Sequence, residues 1–153
     1  MTATLQIRAA RTHEADALTW LAVRSKAHWG YDDAFLDASL PDLTVSSKLA
    51  ASGSVLVADA DGDVVGFASL VGELPELALA HCFVDPAFLR CGIGRRLVEA
   101  VIKEARRRRA SSLRVESDPN AEGFYRALGF ERVGDAPSIA DTSRRLPLLR
   151  LAL

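Results

Sequence analysis

Two glycines one residue apart, Gly92 and Gly94, stand among Arg90, Arg95 and Arg96 in the stretch Asp85-Pro86-Ala87-Phe88-Leu89-Arg90-Cys91-Gly92-Ile93-Gly94-Arg95-Arg96-Leu97. The chemistry that suits this combination is anion binding. A helix opening on a glycine turn offers four unpaired amides and about half a positive charge of macrodipole. Glycine carries no Cβ to hold a phosphate off the main chain, and the arginines add mobile positive charge. With Leu89, Cys91 and Ile93 completing the turn, the pattern predicts a diphosphate loop over residues 89–96. A dinucleotide fingerprint would need a third glycine where Leu97 stands, and a Walker loop would need Gly-Lys-Ser/Thr, a triplet the sequence lacks. Both absences weigh against a protein that binds ATP or NAD.

The elements around the loop are those such a site needs. Leu77 to Val84 is an apolar strand closed by Asp-Pro, which cannot continue a central strand. After the loop, Ile93, Leu97, Val98, Val101, Ile102 and Ala105 recur on one helical face. Earlier come a strand at Thr4 to Arg8, a helix from Thr12 towards Lys26, a break at Gly30, and short helical pieces at Phe35 to Leu40 and Ser46 to Ala51. A hairpin over Ser54 to Ala58 and Val64 to Val71 turns at Asp59-Ala60-Asp61-Gly62. Later come strands at Leu113 to Ser117, Phe130 to Val133 and Leu146 to Leu153. Between the first two of these, Asp118 is a good N-cap, Pro119 suits a first helical position, and Gly129 suits a helix end. Along that helix Ala121, Phe124, Tyr125 and Leu128 form an inward stripe.

Two segments carry a family resemblance. Leu89-Arg90-Cys91-Gly92-Ile93-Gly94 resembles the Arg/Gln-x-x-Gly-x-Gly/Ala phosphate loop of the GNAT superfamily of acyl-CoA N-acyltransferases, with Leu89 in place of the usual Arg or Gln. Asp118-Pro119-Asn120-Ala121-Glu122-Gly123-Phe124-Tyr125-Arg126-Ala127-Leu128-Gly129-Phe130 resembles that family's Asn-x-x-Ala-x-x-Phe-Tyr-x-x-x-Gly-Phe segment, with Asp118 where Asn is usual and Asn120 closer to the tyrosine. The resemblance covers almost the whole chain. It implies one α/β N-acetyltransferase domain over residues 1–153, with a mixed central sheet of about seven strands and helices on both faces.

The same resemblance implies the chemistry. Acetyl-CoA would be the acyl donor, with no metal. Cys82, Phe83 and Val84 would offer main-chain groups to its pantetheine arm, and an N–H there could stabilise charge developing on the thioester oxygen. Residues 89–96 would hold the diphosphate, and Asp118 or Asn120 would meet the cofactor. Tyr125 matches the family's general acid, and a phenol with a reference pKa of about 10 is protonated at neutral pH. Related enzymes often place a glutamate on the strand before the loop. Ala78 and Ala80 stand there, so the general base falls to Glu76, to His81 on the opposite face under strict alternation, or to Glu116 on the neighbouring strand. No Cys or Ser has the setting of an acyl-enzyme nucleophile, so the amine would attack directly in a ternary complex. Lys26, His28, Trp29 and Tyr31 concentrate polar and aromatic groups at a helix end and would line the acceptor pocket, the aromatics flanking a cation.

Composition sets the outer bounds. With 153 residues, 49% hydrophobic and 25% charged, the chain suits one core rather than two domains. A formal charge of −1 predicts no general attraction to nucleic acid or to an anionic membrane, and Arg106 to Arg109 read as a solvated helix end. No apolar run approaches the roughly 20 residues that span a bilayer, and no signal-type leader opens the sequence. Cys82 and Cys91 do not make a disulfide framework, which predicts reduced thiols in the cytoplasm. The acceptor would be a small-molecule amine ahead of a protein amine, and the resemblance allows a homodimer, since sheet-edge dimers are common in the family. The competing expectation is a non-catalytic acyl-CoA sensor, favoured by Ala78 and Ala80 and opposed by Tyr125.

Overall fold

In the computed structural model, which describes residues 4–153, seven strands among the described residues form one mixed sheet with helices on both faces. Residues 1–3 of the expected unit lie outside the described residues. The strands are β1 (Leu5–Ala9), β2 (Val55–Ala60), β3 (Asp63–Glu73), β4 (Glu76–Val84), β5 (Ser112–Glu116), β6 (Glu131–Pro137) and β7 (Arg145–Ala152). Their order is β1-β2-β3-β4-β5-β7-β6, and β4–β5 is the parallel pair in an otherwise antiparallel sheet. The helices are α1 (Ala15–Ala27), α2 (Asp33–Leu43), α3 (Ser47–Ala51), α4 (Ile93–Arg107) and α5 (Glu122–Ala127).

Each face of the sheet buries one apolar stripe. On one side lies α4, whose Ile93, Leu97, Val98, Val101, Ile102 and Ala105 pack with Leu70, Leu77, Leu79, Leu113 and Leu149. On the other, Leu18, Leu21 and Ala22 of α1 meet Leu43, Ala50, Val55, Val57 and Phe67. A fully buried leucine such as Leu97 contributes about 1.5–3 kcal/mol relative to exposure, so these two layers hold the sheet in place.

Three differences from the expected elements affect the site. The first helix begins later than Thr12: a single 3-10 turn at Thr12–Glu14 precedes α1. Next, α2 is longer than Phe35 to Leu40 and runs through Pro41 to Leu43, started by Asp32, which accepts a hydrogen bond from Phe35 N–H at 2.8 Å. Most important, β4 carries a bulge. Ser69 pairs with His81 but Leu70 pairs with Leu79, which leaves Ala80 as an extra residue. Side-chain parity therefore switches at Ala80. Leu77 and Leu79 before it, and Cys82 and Val84 after it, all pack with α4. His81 and Phe83 join Glu76 and Ala78 on the α1 side, so the expected separation of Glu76 and His81 onto opposite faces is overturned.

An ion-pair cluster fixes the first strand to the start of α1. Arg8 donates to both Glu14 oxygens at 2.9 Å and to Asp59 at 3.0 Å, and Glu14 also accepts from Arg11 N–H at 2.7 Å. The Arg8 hydrogen bonds, outweighing the cost of burial, pull the Glu14 carboxyl down to about 2 from 4.5. A depressed carboxylate stabilises the fold above its unfolded value and loses that contribution as pH falls through the folded one. Glu14→Gln is accordingly expected to cost about 1–3 kcal/mol at pH 7. In thermal melts the gap between parent and variant closes as pH falls from 4.5 towards 2; a gap that stays constant contradicts the assignment.

Candidate active site

Parallel pairing between β4 and β5 stops early. It covers Glu76↔Ser112, Leu77↔Leu113 and Ala78↔Arg114, after which the two strands part. From Leu79 onward, the β5-facing backbone groups of β4 have no strand partner there, and such groups require another hydrogen-bonding partner. A cavity of about 740 Å³ occupies the fork. Its walls come from both sides of the sheet: Ile93, Phe124 and Tyr125 on one, Trp29, Ser39 and Asp42 on the other.

One end of the cavity is the start of α4. Gly92 is the N-cap in the left-handed conformation at φ +78°, and the first intrahelical bond is Arg96 N–H to Gly92 C=O at 3.2 Å. The amides of Ile93, Gly94 and Arg95 thus precede the helical ladder, and no side chain caps them. A Cβ on Gly92 would meet nothing within 4 Å, so the space above it is open to a ligand. Gly94 has a packing role besides the expected phosphate approach. Its Cβ would stand 3.3 Å from the Phe124 ring and 3.7 Å from Val84, so its absence lets α5 pack on α4. Leu89, Arg90, Gly92, Ile93, Gly94 and Arg95 line the cavity. Cys91 and Arg96 lie outside the lining; Arg96 donates to the Leu5 carbonyl at 3.3 Å instead.

Tyr125 sits in the fork on α5. Its ring is held edge-on by Phe124 at 5.0 Å and Phe130 at 5.5 Å, and the helix ends with Gly129 at φ +100°. Burial, then the adjacent Cys82 thiol and the charge of Asp118, push the Tyr125 hydroxyl well above 10. Burial also pushes the Cys82 thiol up to about 11. Both groups keep their protons at neutral pH, which makes Tyr125 a proton donor and leaves Cys82 a poor nucleophile. Cys82, Phe83 and Val84 all line the cavity, as does Ala80 at the bulge.

Neither Glu76 nor His81 lies in the cavity wall. Glu76 accepts from Ser112 Oγ at 2.7 Å, Arg150 at 3.0 Å and Arg114 at 3.2 Å. The Ser112 hydrogen bond, outweighing burial and joined by the arginines, holds its carboxyl below the ordinary range. His81 is 6% exposed, and its Nδ1 lies 2.6 Å from Ser69 Oγ while Nε2 has no hydrogen-bond partner among the described residues. Burial lowers its pKa and keeps the ring neutral. The carboxylates that do line the cavity are Glu116, Asp42 and Asp118. Asp42 escapes sequence reading because Pro41 normally signals that a helix has already ended.

On the α1 side, Lys26, His28 and Trp29 line the cavity, but Tyr31 does not. Tyr31 stacks on Phe35 at 4.4 Å, and its hydroxyl is a junction. It donates to Asp118 at 2.9 Å and accepts from Arg144 at 2.6 Å and from Asn120 Nδ2 at 3.4 Å. Lys26 Nζ lies 3.3 Å from the same Asp118 oxygen. Burial works against the Asp118 charge, yet hydrogen bonds from Asn120 and Tyr31 and the nearby Lys26 outweigh it and hold the carboxyl below its usual range. Asp118 and Asn120, expected at the cofactor, are thus joined to the residues expected at the acceptor. Arg144 was not among the expected residues: it lies in the Ser138–Arg144 turn of the β6–β7 hairpin, which reads as an exposed connection. Among the described residues, no group of three or more His, Cys, Asp or Glu side chains could hold a metal ion. No described helix is long and apolar enough to cross a membrane.

Comparison with known proteins bears on this geometry. The model of an acetyltransferase (GNAT) domain matches residues 9–147. The chain is 32% identical over 149 residues to the peptidyl-lysine N-acetyltransferase YjaB of Escherichia coli (strain K12), covering 97% of this chain and 96% of that one. It is 35% identical over 130 residues to the aminoglycoside N(6')-acetyltransferase type 1 of Stenotrophomonas maltophilia, covering 76% and 81%. Its fold matches the PaiA N-acetyltransferase of Thermoplasma acidophilum, solved in complex with coenzyme A, with a TM-score of 0.78 at 15% identity over 98% and 99% of the two chains.

Proposed function

The chain belongs to the GNAT acetyltransferase family, and on that basis we propose that it carries an acetyl group from acetyl-CoA to a primary amine by direct attack in a ternary complex. The observation that carries this reading is one continuous cavity joining the uncapped start of α4, the unpaired edge of β4 and Tyr125, and opening through the fork to the α1 side. The residues fit that donor: open amides and Arg90 and Arg95 for a diphosphate, and a free strand edge for an extended amide-containing arm. Acetyl-CoA, when bound, supplies a thioester whose sulfur leaves as a thiolate.

The protein's own groups do the rest. The macrodipole and the amides of Ile93 to Arg95 hold the anion, while β4 from Leu79 orients the arm by its main chain. Tyr125 holds a proton in the fork and donates it as the sulfur departs. Glu116 and Asp42 are the carboxylates positioned to take the amine's proton, directly or through water. Glu76 is fully engaged by Ser112, Arg114 and Arg150, and His81 is sealed behind Phe67 and Ser69, so neither is assigned the base role. Direct attack is supported by the hydroxyls and thiol that line the cavity, none of which is hydrogen-bonded to a side-chain base among the described residues. Cytoplasmic residence is supported by Cys82 and Cys91, both free thiols.

Initial-velocity kinetics over a panel of small amines test the proposal. Intersecting lines in double-reciprocal plots and stoichiometric acetylated amine by mass spectrometry are expected. Parallel lines with an acetylated enzyme would overturn direct attack.

A further inference from the structure

Resting on the acetyltransferase reading, we propose that the acceptor is a free α-amino acid, its carboxylate held between Lys26 and Arg144 where they meet on Tyr31 and Asp118. The cluster is unbalanced. It contains two cations, Lys26 and Arg144, and one carboxylate, Asp118, with side chains only 17%, 23% and 19% exposed. Asp118 can pair only one of the two cations, and beyond it Arg144 has only the exposed Asp141 carboxylate near it, with which its side chain forms no ion pair among the described residues.

The donors are left over too. Asp118 is saturated: one oxygen accepts from the N–H and the Nδ2 of Asn120, both at 2.9 Å, and the other accepts from Tyr31 and Lys26. Arg144 comes no closer than 3.9 Å to that carboxylate, and among the described residues its side chain gives one hydrogen bond, to the Tyr31 hydroxyl. A guanidinium has five N–H donors in a fork that matches a carboxylate, and an ammonium has three. Both side chains line the cavity, so their spare donors border the acceptor space. Both are also fixed in place, since Lys26 Nζ and the Arg144 guanidinium sit 5.0–5.5 Å from the stacked rings of Tyr31 and Phe35.

The position selects the class of anion. The cluster is built from the end of α1, the turn before α5 and the β6–β7 hairpin, none of which carries the α4 amides that would take the diphosphate of the donor. Yet Asp118 and Tyr125 line the same cavity, and Asp118 caps the turn that runs directly into α5, so the cluster is close to the point of transfer. A carboxylate held there belongs next to the reacting amine, which describes an α-amino acid rather than a chain with its acid at the far end. Asp42 and Glu116 line the same cavity and form no ion pair with Lys26 or Arg144 among the described residues, which suits the ammonium end of such a zwitterion.

Calorimetry on the protein saturated with CoA tests this without relying on turnover. The ligands are the common α-amino acids, each compared with its carboxamide and with the amine that lacks the carboxyl group. At least one amino acid is expected to bind ten times or more tightly than its carboxamide, and that ratio is expected to fall towards one in both Lys26→Gln and Arg144→Gln. Carboxamides or simple amines binding as tightly as the acids overturn the proposal, as does no binding by any amino acid. The comparison of ligands on the parent protein stands even if a variant fails to fold. A protein that does not take up CoA at the first step defeats the acetyltransferase reading itself, a result distinct from the others.

Discussion

Tyr125→Phe is expected to lower kcat by about 10²- to 10⁴-fold while the affinity for CoA changes little. The ring contacts with Phe124 and Phe130 are apolar and survive the substitution, so the fold is preserved and the missing atom is the donor alone. The pH profile provides a second reading of the same group. Because burial raises the hydroxyl well above 10, it stays protonated throughout the range in which the amine loses its proton. In the parent enzyme kcat/KM therefore rises with pH as the acceptor amine becomes neutral, and shows no descending limb from Tyr125 below a pH of about 10. Full activity in the phenylalanine variant, or a descending limb near neutrality, would remove Tyr125 from the chemistry.

The second large effect concerns donor binding. Gly92→Val places a β-branched residue at φ +78°, a region such side chains avoid at a cost of about 1–3 kcal/mol. The turn relaxes away from that conformation, and CoA must restore it to meet the amides of Ile93 to Arg95. Affinity is expected to weaken about 5- to 100-fold by calorimetry. A Cβ here touches nothing in the protein, so overpacking does not explain the loss. Asparagine tolerates the left-handed region, so Gly92→Asn is expected to retain most of the affinity. A valine variant that binds CoA as well as the parent would show that the turn does not hold the donor.

How far the site was legible in the sequence depends on the range of the contact that makes it. The loop at residues 89–96 and the Asp118 to Phe130 segment are local, each written in capping and glycine signals within a few residues; the first opens α4 as expected, while in the second Asp118 caps a 3-10 turn at Pro119–Ala121 and α5 begins only at Glu122. The bulge at Ala80 left no such mark. Alanine is neutral towards it, and the extra residue becomes visible only when β4 is set against β3, with the result that Glu76 and His81 share a face. Asp42 was hidden because α2 continues through Pro41. Arg144 was hidden by distance, since its partner Tyr31 lies 113 residues earlier and only the folded sheet brings the two together. A second reason for glycine at 94 was hidden in the same way: its neighbour Phe124 arrives from another helix.

The most direct measurement is a crystal structure of the protein with CoA. The account predicts the diphosphate within hydrogen-bond distance of the amides of Ile93 to Arg95, the arm along β4 from Leu79 to Val84, and the sulfur within reach of the Tyr125 hydroxyl. A diphosphate bound elsewhere, or a sulfur directed away from Tyr125, would contradict it.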